Sequence, residues 1–113
     1  MNWILSAAVM FCLKEVSAWD ASTNWDAVKA KVDQAVNDHI PPFADQGVDQ
    51  VVNSVVDCLS AALADTADLQ KCASDVLAGN YMGALGDLEA LLAKVAVPSQ
   101  PQVLAAVKAL RAA

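Results

Sequence analysis

The sequence predicts an all-α fold, in which residues 1–113 form one helical domain of about five to six helices. Apolar residues recur at helical spacing along the chain, and no sustained alternation of the kind found in a half-buried strand occurs. A length of 113 residues suits one domain, and no stretch of linker composition divides it. Apolar residues make up 57% of the chain, with many Ala and Val among them, so we expect the helices to lie close together.

The first predicted helix runs from about Asn2 to Ala18 and contains an almost unbroken apolar run. A helix that is apolar on every side must be covered on more than one face, so it lies at the centre of the bundle or of an oligomer. The run is well short of the ~20 residues that span a bilayer. We expect a helix–helix or subunit interface that includes Trp3, Ile4, Leu5 and Phe11.

Residues 1–18 also suggest an alternative, because Val16-Ser17-Ala18 resembles the small-residue cleavage site of a signal peptide. Cleavage there would remove Cys12 and leave an even pair of cysteines. The segment lacks a positively charged start, however, and Lys14 and Glu15 stand just before the cut. We therefore expect residues 1–18 to be retained, with a signal or a membrane-surface anchor as the alternative.

The second and third helices are predicted from their start signals and apolar stripes. Thr23 and Asp26 have capping-box spacing, and the Pro41-Pro42 pair ends the second helix. The third helix runs from about Pro42 to Ala64. The apolar stripe of the second helix is Trp25, Val28, Val32, Val36 and Ile40, and that of the third is Val48, Val51, Val52, Val55, Leu59 and Leu63. The opposite side of the third helix carries an acidic face, Asp45, Asp49 and Asp57.

The remaining three helices follow from breaks in the pattern. A break at Asp65-Thr66 starts a fourth helix of about three turns, which contains Leu69, Cys72, Val76 and Leu77 and is closed by Gly79-Asn80. This predicts an αα-hairpin near residues 42–78. The fifth helix runs from about Tyr81 to Val97 and stops at Pro98. The sixth opens at Ser99, with Gln102 at capping-box spacing, and ends in Lys108 and Arg111, as suits a helix C-terminus.

Gly79-Asn80-Tyr81, followed by Ala84-Leu85, Leu88 and Leu91, resembles the second half of a tetratricopeptide repeat. The resemblance covers about one repeat, residues 68–98. Cys72 and Val76 stand where the repeat has an early aromatic residue, and no second copy occurs. The resemblance implies a pair of packed helices and no peptide-binding function.

Cys58 and Cys72 are equally distant from Asp65, where the predicted hairpin turns. Residues at the same level of two antiparallel helices come near the ~5.5 Å Cα separation of a disulfide. The two cysteines are therefore a candidate disulfide. The alternative is a pair of reduced core residues, which the odd count of three cysteines favours.

The fifth helix is predicted to have two unlike faces. Its large residues, Tyr81, Leu85, Leu88, Leu92 and Val95, follow the spacing of a packing seam. Its small residues, Gly83, Gly86, Ala90 and Ala93, lie on the other side. Two glycines inside a helix cost roughly 1 kcal/mol each, so something should compensate for them. We expect a second helix there, either the first helix of the same chain or one from a neighbouring subunit.

Few residues suggest chemistry. The chain has one histidine, His39, and the spacings typical of zinc sites and phosphate-binding loops do not occur. A net charge of −6 repels nucleic acid. We therefore predict no catalytic, metal or cofactor site and no nucleic-acid partner.

The function predicted from these observations is that of a non-enzymatic structural subunit. It would pack into a homo- or hetero-oligomeric protein assembly, for example a virus particle or a secretion machine, in the cytoplasm or inside a large particle. A secreted or membrane-surface protein is the alternative, with any membrane contact made through residues 1–18. A small enzyme is the third hypothesis.

Overall fold

The predicted helical pattern folds into six α-helices and one 3-10 turn in the computed structural model, which describes residues 3–20, 22–39 and 47–112. These elements are α1 (Trp3–Glu15), the 3-10 turn (Val16–Ala18), α2 (Trp25–His39), α3 (Val48–Ala62), α4 (Thr66–Leu77), α5 (Tyr81–Leu92) and α6 (Gln100–Ala112). Helices account for most of the described residues, and none of them lies in a strand. The all-α prediction is confirmed.

Side chains that accept hydrogen bonds from the first free backbone amides fix the starts of α2, α4 and α5. Asn24 Oδ1 accepts from the amide of Asp26 at 3.1 Å and begins α2. Asp65 Oδ1 accepts from Ala67 N at 2.8 Å and begins α4 at the predicted break. The predicted cap of α2 was Thr23, and this was wrong: the Thr23 hydroxyl instead accepts a hydrogen bond from Asp20 N at 2.6 Å.

The connection between α5 and α6 begins earlier than predicted. Gln100 Nε2 donates to the carbonyl oxygen of Leu92 at 3.0 Å and so satisfies the C-terminal end of α5, five residues before Val97. Ser99 was predicted to cap α6, but its hydroxyl donates to the carbonyl oxygen of Ser54 at 3.1 Å. This bond ties the connection to the side of α3.

One cluster of buried apolar side chains joins all six helices. α1 supplies fully buried side chains to it and packs against α2, α3 and α6, so the first helix is central in the bundle. The largest fully buried side chains are Leu13, Leu59, Leu63, Leu85, Leu88 and Leu92. The end of the second helix at Ile40, Pro41 and Pro42, and the acidic residue Asp45, lie outside the described residues.

α4 and α5 pack against each other as a helix pair. A short turn joins them, and in it Gly79 has φ +75°, a conformation that glycine adopts without strain. This is the packed pair that the tetratricopeptide resemblance implied. The αα-hairpin predicted near residues 42–78 would pack α4 against α3. In the structure α4 packs mainly on α5 and on the 3-10 turn instead. None of the described helices is long and apolar enough to cross a bilayer.

Two leucines allow a matched test of this core. Leu88 is fully buried, whereas Leu77, the last residue of α4, is 75% exposed. We predict that Leu88→Ala lowers the free energy of unfolding by about 2–5 kcal/mol, because it leaves a cavity. Leu77→Ala should change it by less than about 0.5 kcal/mol. Chemical denaturation of both variants measures the difference, and equal effects would show that the core is placed wrongly.

Candidate interaction surfaces

The side of α1 that points away from the core carries Trp3, Ala7, Met10 and Lys14, which we call the outer face of α1. These residues have 4-3-4 spacing, which places them in one row along the helix. Trp3 is 48% exposed, Ala7 and Met10 are half-buried, and Lys14 is exposed. Apolar side chains therefore reach solvent at least in part over about two turns before the first charge, and Met10 also packs in part against the core.

The other predicted interface residues of α1, Ile4, Leu5 and Phe11, lie beside this row. Lys14 Nζ lies 5.2 Å from the centre of the Phe11 ring, within the range of a cation–π contact. Phe11 also contacts the His39 ring, with 5.2 Å between ring centres. Ile4, Leu5 and Phe11 are half-buried against the core. Sequence reasoning found Trp3 but missed Ala7 and Met10, because a helix that is apolar all round gives no signal of which side faces outward.

The two faces of α5 differ as predicted, but α6 rather than α1 lies beside the small one. The leucines of the large face are buried. Gly83 leaves room for the capping side chain of Asn80, whose Oδ1 accepts a hydrogen bond from Gly83 N at 3.0 Å. A Cβ on Gly86 would lie 3.6 Å from the guanidinium carbon of Arg111, which forms an ion pair with Glu89.

Beyond these two glycines a shallow groove of about 360 Å³ remains between α5 and α6. Ala90 and Ala93 are exposed along it, and Leu104 and Lys108 line its other side. Among the described residues Lys108 has no ion-pair partner. The groove is a second surface on which another helix could lie.

The acidic face of α3 is partly neutralised. Asp57 is exposed and pairs with Lys29 of α2, at 2.8 Å between Nζ and Oδ1. Asp49, also exposed, lines two clefts together with Asp33 of α2. Burial, followed by the hydrogen bond and the charge of Asp49, raises the pKa of Asp33 to about 6. One oxygen of Asp33 is closed off from solvent without a hydrogen-bond partner.

A second pair of carboxyl groups joins α4 to α5. The hydrogen bond with Asp87 raises the pKa of Asp75 above its usual value. Lys71 lies 3.4 Å from one oxygen of Asp87, and the other oxygen is enclosed without a partner. Sequence spacing could not find either pair, because its members belong to different helices. Each pair can share one proton between two helices.

The three cysteines are free and buried. Burial raises the pKa of Cys12 to about 12 and that of Cys72 to about 11, and it also raises the pKa of Cys58. Both members of the candidate disulfide thus have their thiols inside the core, and the Cys58–Cys72 pairing stays a prediction.

The polar groups that chemistry would need lie apart. His39 is exposed at the end of α2, where its Nδ1 lies 2.8 Å from the carbonyl oxygen of Ala35. A cleft of about 390 Å³ has an apolar floor and an uncharged rim, formed by Leu5, Gln50, Val51, Ser54, Pro98, Ser99, Gln102 and Val103. Within the described ranges no three His, Cys, Asp or Glu residues are grouped as metal ligands.

Thiol reactivity tests the burial of the cysteines. At pH 8 we expect all three thiols of the folded chain to resist a soluble disulfide reagent, because a raised pKa leaves almost no thiolate. The same reagent should label three thiols per chain after unfolding in denaturant. Rapid labelling of Cys58 or Cys72 in the folded chain would contradict the packing of α3 or α4.

The carboxyl pairs predict a dependence of stability on pH. The folded-state pKa of Asp33, about 6, lies above the unfolded value of about 3.9. The stability that its proton contributes is therefore full below the unfolded pKa and lost as pH rises through 6. We expect a midpoint of thermal unfolding a few degrees higher at pH 5 than at pH 7.5.

Asp33→Asn should raise the midpoint at pH 7.5 and weaken its dependence on pH, because an amide can donate to Asp49 without carrying charge. Asp57→Asn is the matched control, since Asp57 belongs to the same helix interface but pairs with Lys29. It should leave the dependence on pH in place. A wild-type chain that loses stability between pH 7.5 and pH 5 would contradict the prediction.

Comparison with known proteins returns no match of the chain to a protein family, to a curated protein or to a solved structure.

Proposed function

We propose that this chain is a non-enzymatic structural subunit that assembles with copies of itself, and that the outer face of α1 is the contact surface. The observation that carries the proposal is the exposure of Trp3 at the head of an apolar row on a helix whose opposite side is buried. Trp is among the residues that contribute most to protein–protein contacts, because its large apolar surface is removed from water.

The contrast between α1 and α2 supports this proposal. The exposed side of α2 carries Asp26, Lys31, Gln34 and Asp38, as is typical of a helix that faces water. The outer face of α1 has no charged residue before Lys14. Such a face is stabilised when a partner covers it.

The attachment of α1 to the bundle also favours a protein contact surface. Val9, Cys12 and Leu13, on the inner side of α1, are fully buried. The outer face is therefore held rigidly, and a partner that binds it loses little conformational freedom. The same burial supports the interpretation that residues 1–18 belong to the working protein.

A protein partner suits the charges of the chain better than a lipid surface does. Peripheral membrane helices usually combine apolar residues with several Lys or Arg, which bind anionic headgroups. The outer face of α1 offers Lys14 alone, and the chain carries a net charge of −6. Repulsion from anionic lipid would oppose membrane binding.

Lysine substitutions on the outer face test the proposal. We expect the wild-type chain to self-associate as its concentration rises, measured by light scattering or sedimentation. Trp3→Lys combined with Met10→Lys should abolish this association, because it places charges in the contact. The midpoint of thermal unfolding should fall by no more than a few degrees, because Trp3 is exposed and the lysine that replaces the half-buried Met10 can extend its ammonium group into solvent.

Leu77→Lys is the matched control, because it replaces an apolar side chain that is 75% exposed on another helix. It should leave association unchanged. A wild-type chain that stays monomeric, or an assembly that survives both lysines, would overturn the proposal. Association lost in Ala90→Leu but kept in the lysine variant would point to the α5–α6 groove instead. Vesicle binding that needs Trp3, without self-association, would favour the membrane-surface alternative.

A further inference from the structure

We propose that two copies of α1 pair through their outer faces in antiparallel orientation, with Trp3 of each copy against Lys14 of the other and Ala7 against Met10. This inference rests on the proposed function, in which a second copy of the chain is the partner of the same surface. It concerns the direction and register of the contact, which the proposed function leaves open.

The register follows from the spacing of the row. A two-fold axis between Ala8 and Val9 exchanges position 3 with 14 and position 7 with 10. Each large side chain then meets a smaller or a flexible one: Met10 extends over Ala7, and the Trp3 ring lies along the methylene chain of Lys14. The same two contacts occur twice, as a closed symmetric dimer requires.

Electrostatics favour the antiparallel direction. Lys14 Nζ already lies 5.2 Å from the Phe11 ring, and Trp3 of a second copy would add a second aromatic ring to the same ammonium group.

The parallel arrangement lacks these advantages. It would place Lys14 beside Lys14, so that two ammonium groups repel each other. It would also oppose Ala7 to Ala7 and Met10 to Met10, and the two alanines would leave a gap while the two methionines crowd the same level. The side chains of the row therefore complement one another in only one of the two directions.

The length of the row sets the expected strength. Positions 3 and 14 are separated by roughly 16 Å along the helix. Such a contact is at the small end of protein interfaces, where association is reversible and depends on concentration. The test must therefore trap a transient complex as well as measure its size.

Single cysteines placed in the row report the register. An Ala7→Cys chain is mixed with a Met10→Cys chain under mild oxidation, and intact mass spectrometry distinguishes the three covalent dimers. The native thiols are fully buried and remain in both chains. We expect the mixed dimer to exceed both homodimers beyond the statistical ratio. Ala61→Cys, at an exposed position on α3, replaces Ala7→Cys as the control and should give only background crosslinking.

Lys14→Ala provides a second measurement. Loss of the ammonium group from both copies should raise the dissociation constant roughly five- to thirty-fold, the equivalent of two cation–π contacts of about 0.5–1 kcal/mol each. Preferred Ala7→Cys homodimers would overturn the antiparallel register in favour of a parallel one. Crosslinking at the control level, in a chain that still assembles, would overturn the register and leave self-assembly intact. A chain that stays monomeric at every concentration would overturn the register and the proposed function together.

Discussion

The structure depends on the burial of a helix that has no polar side. α1 is apolar all round, and three of the other helices, α2, α3 and α6, pack directly against it. Three helices cannot enclose a fourth completely, because each covers only a sector of its circumference. Among the residues that the structure describes, the sector that α2, α3 and α6 leave uncovered is the outer face.

Hydrogen bonds from polar side chains fix the connection between α5 and α6, and their acceptors lie many residues away in the sequence. Gln100 ends α5 by bonding the carbonyl oxygen of Leu92, and Ser99 fastens the same connection to Ser54 of α3. Both bonds hold the connection that leads into α6, and the Arg111 side chain near the end of α6 lies beside Gly86 of α5. The small residues of α5 are thus used chiefly within the chain, and only Ala90 and Ala93 stay open beside the groove.

The sequence predicted the fold class and most helix starts because those properties are local. Apolar spacing places Val32 and Val36 on one side of α2, and Asp65 marks the start of α4. Both signals lie within a few residues of the feature that they predict and do not depend on tertiary packing. The end of α5 was missed because it depends on a side chain eight residues away. The outer face was identified only at Trp3, since its limits depend on which neighbours cover α1, and that is a property of packing rather than of spacing.

The charges of the bundle divide into two kinds with different consequences. Lys29–Asp57 and Arg111–Glu89 link neighbouring helices by opposite charges, and exposed pairs of this kind contribute little to stability. Asp33 with Asp49, and Asp75 with Asp87, place like charges across helix interfaces, and each pair has an oxygen that water cannot reach. A shared proton removes one charge from each pair, so acid favours close packing of α2 on α3 and of α4 on α5. The outer face of α1 contains no carboxyl group, and its proposed contacts involve an aromatic ring, a thioether and an ammonium group. Proton binding should therefore tighten the bundle without altering the surface through which we propose that it assembles.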